Sequence, residues 1–192
     1  PQVENINQNG ITVLEEDGTE QHFSDIRAMK SGTCKEVADL VIVFVKSTHT
    51  ESSLEENKDL FGENTLVMTL QNGAGNDRKI AKYVRTENII IGTSKHNSVN
   101  LGGGKIRHSG NGVTTIGSNL EENPHLQTVA DLLTEAGFQS AVSDDIQRII
   151  WSKLFVNLSI NTFTAITETP IAYMIENQYA WDFAEKMICE AV

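Results

Sequence analysis

VADLVIVFVK, residues 37–46, decides the fold. It is an almost unbroken apolar, β-branched run that ends on a lysine. Runs of this kind mark strands covered on both faces, as in parallel sheets, whereas a strand with one wet face alternates polar and apolar. Two similar runs follow, NTLVMTL at 64–70 and ENIIIGTS at 87–94. The segments between them, ESSLEENKDLF at 51–61 and DRKIAKYV at 77–84, are polar and helix-compatible. Strand–helix–strand–helix–strand predicts an α/β fold with a parallel sheet.

On the amino-terminal side, ITVLE (11–15) and EQHF (20–23) flank EDGT, which predicts a hairpin around an Asp-Gly turn. On the other side, the glycine-rich LGGGKIRHSGNGVTTIGS (101–118) is expected to form a hairpin turning near SGNG. ENPHLQTVADLLTEAGF (122–138) has Asn123 before Pro124, apolar helical spacing, then Gly137 as a stop. QSAV (139–142) is a last short strand. SDD (143–145) then opens a region that is helical to the end, broken near Thr167–Pro170. A domain boundary is therefore expected close to 143, giving domains 1–143 and 144–192. No internal repeat or low-complexity segment is present.

Composition narrows the function. Among 192 residues, 15 Lys and Arg face 26 Asp and Glu, for a net charge of −11. Such a surface repels nucleic-acid phosphates and anionic lipid, so neither is an expected partner. The longest apolar run, 38–45, is too short to span a membrane, and the polar first twenty residues lack a signal-peptide pattern. The start at Pro1 suggests a sequence that opens partway through a longer protein. Cys34 and Cys189 form no CxxC, which fits a reducing, cytoplasmic setting. The five histidines show no metal-ligand spacing; His96 and His108, which a hairpin could bring together, are expected to be solvated or singly bonded.

Three places carry candidate chemistry. QNGAGND (71–77) lies where a strand gives way to a helix, the position of phosphate-cradling loops. Gly73 and Gly75 match the first two glycines of G-x-G-x-x-G, but Arg78 occupies the third, so the dinucleotide fingerprint fails and a tight turn is the simpler reading. Lys46 and Asn72 follow the carboxyl ends of neighbouring strands, the edge where open α/β sheets bind ligands. Lastly, WSKLFVNLSIN (151–161) sets Lys153, Asn157 and Asn161 four apart; at about 100° per residue they lie within roughly 80° of one another. Arg148, Ser152 and Ser159 form the only other polar strip, so the helix is apolar nearly all round and its three polar residues are expected to be buried. Unpartnered, they would cost several kcal/mol in total. A wall of a ligand cleft explains them better than a solvent face. A partly desolvated lysine can bind a carbonyl oxygen and deliver a proton to it, which suits reduction of a ketone.

VKS at 45–47, LQNGAGN at 70–76 and WSKLFVNLSIN followed by TAI, in that order and approximate spacing, resemble the ketopantoate reductases (2-dehydropantoate 2-reductases) over nearly the whole chain. The resemblance implies a partial Rossmann-like cofactor-binding domain, then the start of an all-α substrate domain. It implies NADPH-dependent reduction of 2-dehydropantoate to (R)-pantoate, in pantothenate and coenzyme A biosynthesis. It makes Lys153 the general acid and Asn157, Asn161 and Asn72 substrate-binding amides. Asn72, Lys46, Gly73 and Ser98 become NADP(H) contacts; no metal is implied. The family's opening strand–G-x-G-x-x-G–helix and its later helices are absent, and Ile171 stands where a further substrate asparagine is expected. The 192 residues alone are therefore expected to bind NADPH weakly and not to turn over. A non-catalytic remnant or interaction module on the same scaffold, a reductase of another 2-oxo acid, and a homo-oligomer all stay open.

Overall fold

The computed structural model describes residues 2–191. In chain order these form helix α1 (Gln2–Asn9), strands β1 (Ile11–Leu14), β2 (Glu20–Phe23) and β3 (Leu40–Val43), helix α2 (Thr50–Glu56), strand β4 (Leu66–Thr69), helix α3 (Asn76–Ile80) and strands β5 (Ile89–Ser94), β6 (Asn97–Gly102), β7 (Lys105–Gly110) and β8 (Thr114–Gly117). Helix α4 (Leu126–Glu135) and strand β9 (Ser140–Val142) follow. The rest is helical: α5 (Ile146–Val156), a π-helical turn (Asn157–Asn161), α6 (Thr162–Thr167), α7 (Ile171–Glu176) and α8 (Gln178–Ala191). The chain divides into two compact units, one of residues 1–71 and 75–146, the other of 72–74 and 147–192.

The first unit holds two sheets. The five-stranded sheet runs β3-β4-β5-β8-β9. Strands β3, β4 and β5 are parallel, as the three apolar runs predicted; β8 then pairs antiparallel to β5, and β9 parallel to β8. The core lies between the middle strands and α4, where Met68, Ile90 and Ile116 pack with Val129 and Ala130. The run that predicted the sheet is less covered than its middle strands. Ile42 is 41% and Phe44 66% exposed, against 0% for Val67, Met68 and Ile90. The reason is position: β3 is an edge strand, and no described strand pairs with its outer side.

The smaller sheet runs β2-β1-β7-β6. The β1–β2 hairpin forms around Asp17 and Gly18, with Asp17 Oδ1 accepting from the Thr19 N–H at 2.9 Å. The second hairpin corrects the expectation of a turn near SGNG. It turns at Gly102–Gly104, whose φ angles of 84°, 59° and 79° are open to three consecutive glycines and costly for other residues. SGNG instead leads out of β7 toward β8, from one sheet to the other.

In the second unit, α7 and α8 bury Met174, Ala180 and Ala184 against Ile160 and Phe163. Glu168, at φ 53°, ends α6 in a left-handed turn before Pro170, where the sequence predicted a break. Much apolar surface stays bare: Ile166 is 75%, Ile175 70% and Tyr179 86% exposed. The continuous helix Ile146–Thr167 also corrects the expectation that nothing here could span a membrane. It has 22 residues and a mean hydropathy of 1.2 over its most apolar window, which suffices by length and composition. Lys153, Asn157 and Asn161 in mid-helix are expensive in hydrocarbon and argue for a protein setting.

Candidate active site

Parallel pairing puts the two strand-end residues in step. Val43 pairs with Thr69, so Lys46 and Asn72 each stand three residues beyond a paired position, on one edge of the sheet. Both are exposed. Lys46 opens a short 3-10 turn, Ser47–His49, closed by the His49 N–H donating to the Lys46 carbonyl at 2.7 Å.

Between them sits a residue whose part the sequence reading missed. The Gln71 side chain bridges the two strand-end loops. Its Oε1 accepts from Thr69 Oγ1 at 3.0 Å, while its Nε2 donates to Thr50 Oγ1 at 3.0 Å and to the Val45 carbonyl. Lys79 Nζ, from α3, donates to the Ser47 carbonyl at 2.8 Å and braces the same loop. One turn on, Lys82 pairs with Glu51 of α2 and holds that carboxyl below the usual range, first through the hydrogen bond and then through charge. The signal for Gln71 was present in QNGAGN, but its role depends on a carbonyl 26 residues away.

The glycines of that loop take backbone shapes that other residues avoid. Gly73 and Gly75 have φ of 93° and 83°, and a Cβ added at either would meet nothing within 4 Å. The space over them is open, as close approach by a ligand requires. Ser98 lies four residues beyond the end of β5, but on β6 of the smaller sheet, exposed and paired with His108.

The helix of the second unit departs from even α-helical winding where the polar residues lie. Lys153 is on α5; Asn157 begins the π turn and Asn161 ends it. A π turn holds more residues than an α turn, so 100° arithmetic fails from Asn157 onward. Lys153 and Asn157 are half-buried and Asn161 is exposed, which corrects the expectation of three buried polar residues. The Asn161 amide donates to Asn157 Oδ1 at 3.3 Å. The buried residue is Ser159, expected on the outer polar strip but only 3% exposed. Its hydroxyl donates to the Phe155 carbonyl at 2.9 Å and lies 3.3 Å from that of Val156, both carbonyls one turn back at the entrance to the π turn. Single π turns in α-helices occur often at functional sites.

His96 and His108 do meet, Nδ1 to Nε2 at 3.0 Å, and His108 Nδ1 reaches Glu15 Oε2 at 2.7 Å. Both are half-buried rather than solvated; the His96 ring is singly bonded, as expected, whereas His108 uses both ring nitrogens. Among the described residues, no group of three or more His, Cys, Asp or Glu is arranged to hold a metal ion.

Comparison with known proteins decides the family. The family described as "Ketopantoate reductase PanE/ApbA" matches residues 1–121, and its C-terminal counterpart matches 145–192. The chain belongs to the ketopantoate reductase family. A 2-dehydropantoate 2-reductase of Halobacterium salinarum is 31% identical over 189 residues, 97% of this chain and 61% of that protein. Among solved structures, the 2-dehydropantoate 2-reductase of Geobacter metallireducens is similar with a TM-score of 0.89 and 26% identity, over 98% of this chain and 63% of that one. The ternary structure of D-mandelate dehydrogenase with NADH and anilino(oxo)acetate is similar with a TM-score of 0.87 and 26% identity, over 95% and 59%. The chain thus spans about three fifths of the length of these ketopantoate-reductase relatives.

Proposed function

We propose that this chain is the middle of an NADPH-dependent 2-dehydropantoate 2-reductase, with residues 1–143 contributing to the cofactor domain and 144–192 to the substrate domain. One observation carries the reading. Asn72–Ala74, the tip of the strand-end loop, belong to the same compact unit as Lys153, Asn157 and Asn161. Asn72 and Gly73 therefore share one folded unit with Lys153, Asn157 and Asn161, while Lys46 and Ser98 belong to the other. The bare edge of β3 supports the same reading, because a further strand paired there would cover Ile42 and Phe44.

The open space over Gly73 and Gly75 fits a nicotinamide dinucleotide, and Asn72, Lys46, Gly73 and Ser98 are the residues proposed to hold it. When bound, it supplies a hydride to the keto carbon. The chain's own residues do the rest. Asn157 and Asn161 bind the hydroxyl and carboxylate of the 2-oxo acid. Asn72 orients the keto group from the strand-end loop. Lys153, as the ammonium, donates a hydrogen bond to the keto oxygen and transfers a proton to it as negative charge develops, leaving a neutral amine and a secondary alcohol. The exposed apolar side chains of the second unit are proposed to be covered by further family helices or by a second copy.

The likeness to D-mandelate dehydrogenase with NADH favours one second reading: reduction of an aromatic 2-oxo acid with NADH. Ile171, 54% exposed where a substrate amide is expected, fits a less polar substrate. Steady-state assays of the full-length protein with NADPH and NADH, each against 2-dehydropantoate and phenylglyoxylate, separate the two. The first reading predicts the highest kcat/KM for NADPH with 2-dehydropantoate. Preference for phenylglyoxylate moves the assignment to the second, and no activity with either refutes both.

A further inference from the structure

We infer that Gln71 is a positioning residue of the proposed active site: its amide locks the loop that carries Lys46 to the loop that carries Asn72. The inference rests on the proposed reductase reading for its consequence, but on geometry for its existence.

Three contacts fix which way the amide points. Thr69 Oγ1 donates to Oε1 at 3.0 Å, so the oxygen faces its own strand. The Gln71 N–H in turn donates to Thr69 Oγ1 at 3.3 Å, which holds the start of the side chain against the strand end. The nitrogen therefore faces outward, donating to the Val45 carbonyl and to Thr50 Oγ1. Thr50 is fully buried at the start of α2 and Thr69 is 4% exposed, so both anchors are rigid. The Val45 carbonyl belongs to the peptide group whose N–H is that of Lys46. Holding that oxygen fixes the plane from which the Lys46 side chain departs. Gln71 is also the residue before Asn72. Gln71 thus ties together two loops that no backbone ladder joins beyond Val43 and Thr69, with the Lys79 bond to the Ser47 carbonyl as a second brace farther along.

The geometry requires an amide of this length. A glutamate has the same shape but no donor, and would set a carboxylate oxygen against the Val45 carbonyl. An alanine removes the bridge. In either case the sheet's ladder is untouched, while Lys46 loses its fixed origin.

A double-mutant cycle in the full-length protein tests this. Gln71→Glu is expected to lower kcat/KM by about tenfold or more, but by less than about twofold once Lys46→Ala is present, because groups that act as a unit are not additive. Gln71→Ala replaces Gln71→Glu if the latter fails to fold. Losses that multiply, or no loss from either Gln71 variant, overturn the inference. If the wild-type protein reduces no 2-oxo acid, the reductase reading fails, and amide hydrogen exchange judges Gln71 alone. Faster exchange at His49, whose N–H closes the turn on the Lys46 carbonyl, supports the lock. Unchanged exchange overturns it.

Discussion

Replacing Gly92 with alanine should damage the first unit through space alone. Gly92 lies in β5 and has an ordinary negative-φ backbone, so left-handed strain is not at issue. A Cβ there would stand 2.5 Å from the Thr115 carbonyl oxygen, 2.9 Å from Leu70 Cδ2 and 3.0 Å from Ile116 Cγ2. Leucine and isoleucine tips can give by a few tenths of an ångström. The carbonyl cannot, because Thr115 pairs with Thr93 on one side and Ala141 on the other. Overpacking against fixed backbone falls at the upper end of the usual range, about 3 kcal/mol. For a chain of this size that lowers Tm by about 6–12 °C. Both tryptophans, Trp151 and Trp181, lie in the second unit. Far-UV circular dichroism with urea is therefore the right probe, with tryptophan fluorescence reporting the other unit. A loss below about 0.5 kcal/mol would show that the close approach of β5 and β8 is wrong.

Other outcomes follow from the same structure. Gly73→Ala should cost only about 1–2 kcal/mol of left-handed strain, since nothing lies within 4 Å of the new Cβ, yet weaken dinucleotide binding in a titration of the full-length protein. Ser159→Ala should cost about 1 kcal/mol in a urea melt followed by tryptophan fluorescence, by removing the hydroxyl bonded to the Phe155 carbonyl at the mouth of the π turn. Glu51 and Asp59 are held below the carboxylate range by hydrogen bonds and charge from Lys82 and Lys35. Their stabilisation is present above the unfolded-state pKa and is lost as pH falls below about 4. Because these groups are solvent-exposed, salt should flatten that part of the urea-midpoint profile, and Glu51→Gln should remove its share.

The sequence was most readable where burial sets the pattern. NTLVMTL and ENIIIGTS read as strands covered on both faces, and Val67, Met68 and Ile90 are fully buried. VADLVIVFVK has the same composition but lies at an edge, and pattern cannot tell an edge strand from a central one. The GGG turn was misplaced because two glycine clusters compete in one segment, and only the pairing of β6 with β7 decides between them. Lys46 and Asn72 became candidates by their places beyond strand ends; Lys153, Asn157 and Asn161 could be singled out as candidates because polar residues in apolar company ask for a reason. Their burial could not, because the π turn alters the winding that helical arithmetic assumes. Gln71 was passed over for the opposite reason: a glutamine in a turn asks for no explanation until its partners are known.

Lys153 is proposed to give the proton when the keto group is reduced. The direct measurement is single-turnover oxidation of NADPH by the full-length protein and its Lys153→Ala variant, with 2-dehydropantoate saturating. For the variant, the rate constant is expected to fall by about 10²–10⁴-fold, with an unchanged circular-dichroism spectrum and dinucleotide affinity. A variant that reduces the substrate at the wild-type rate would contradict it.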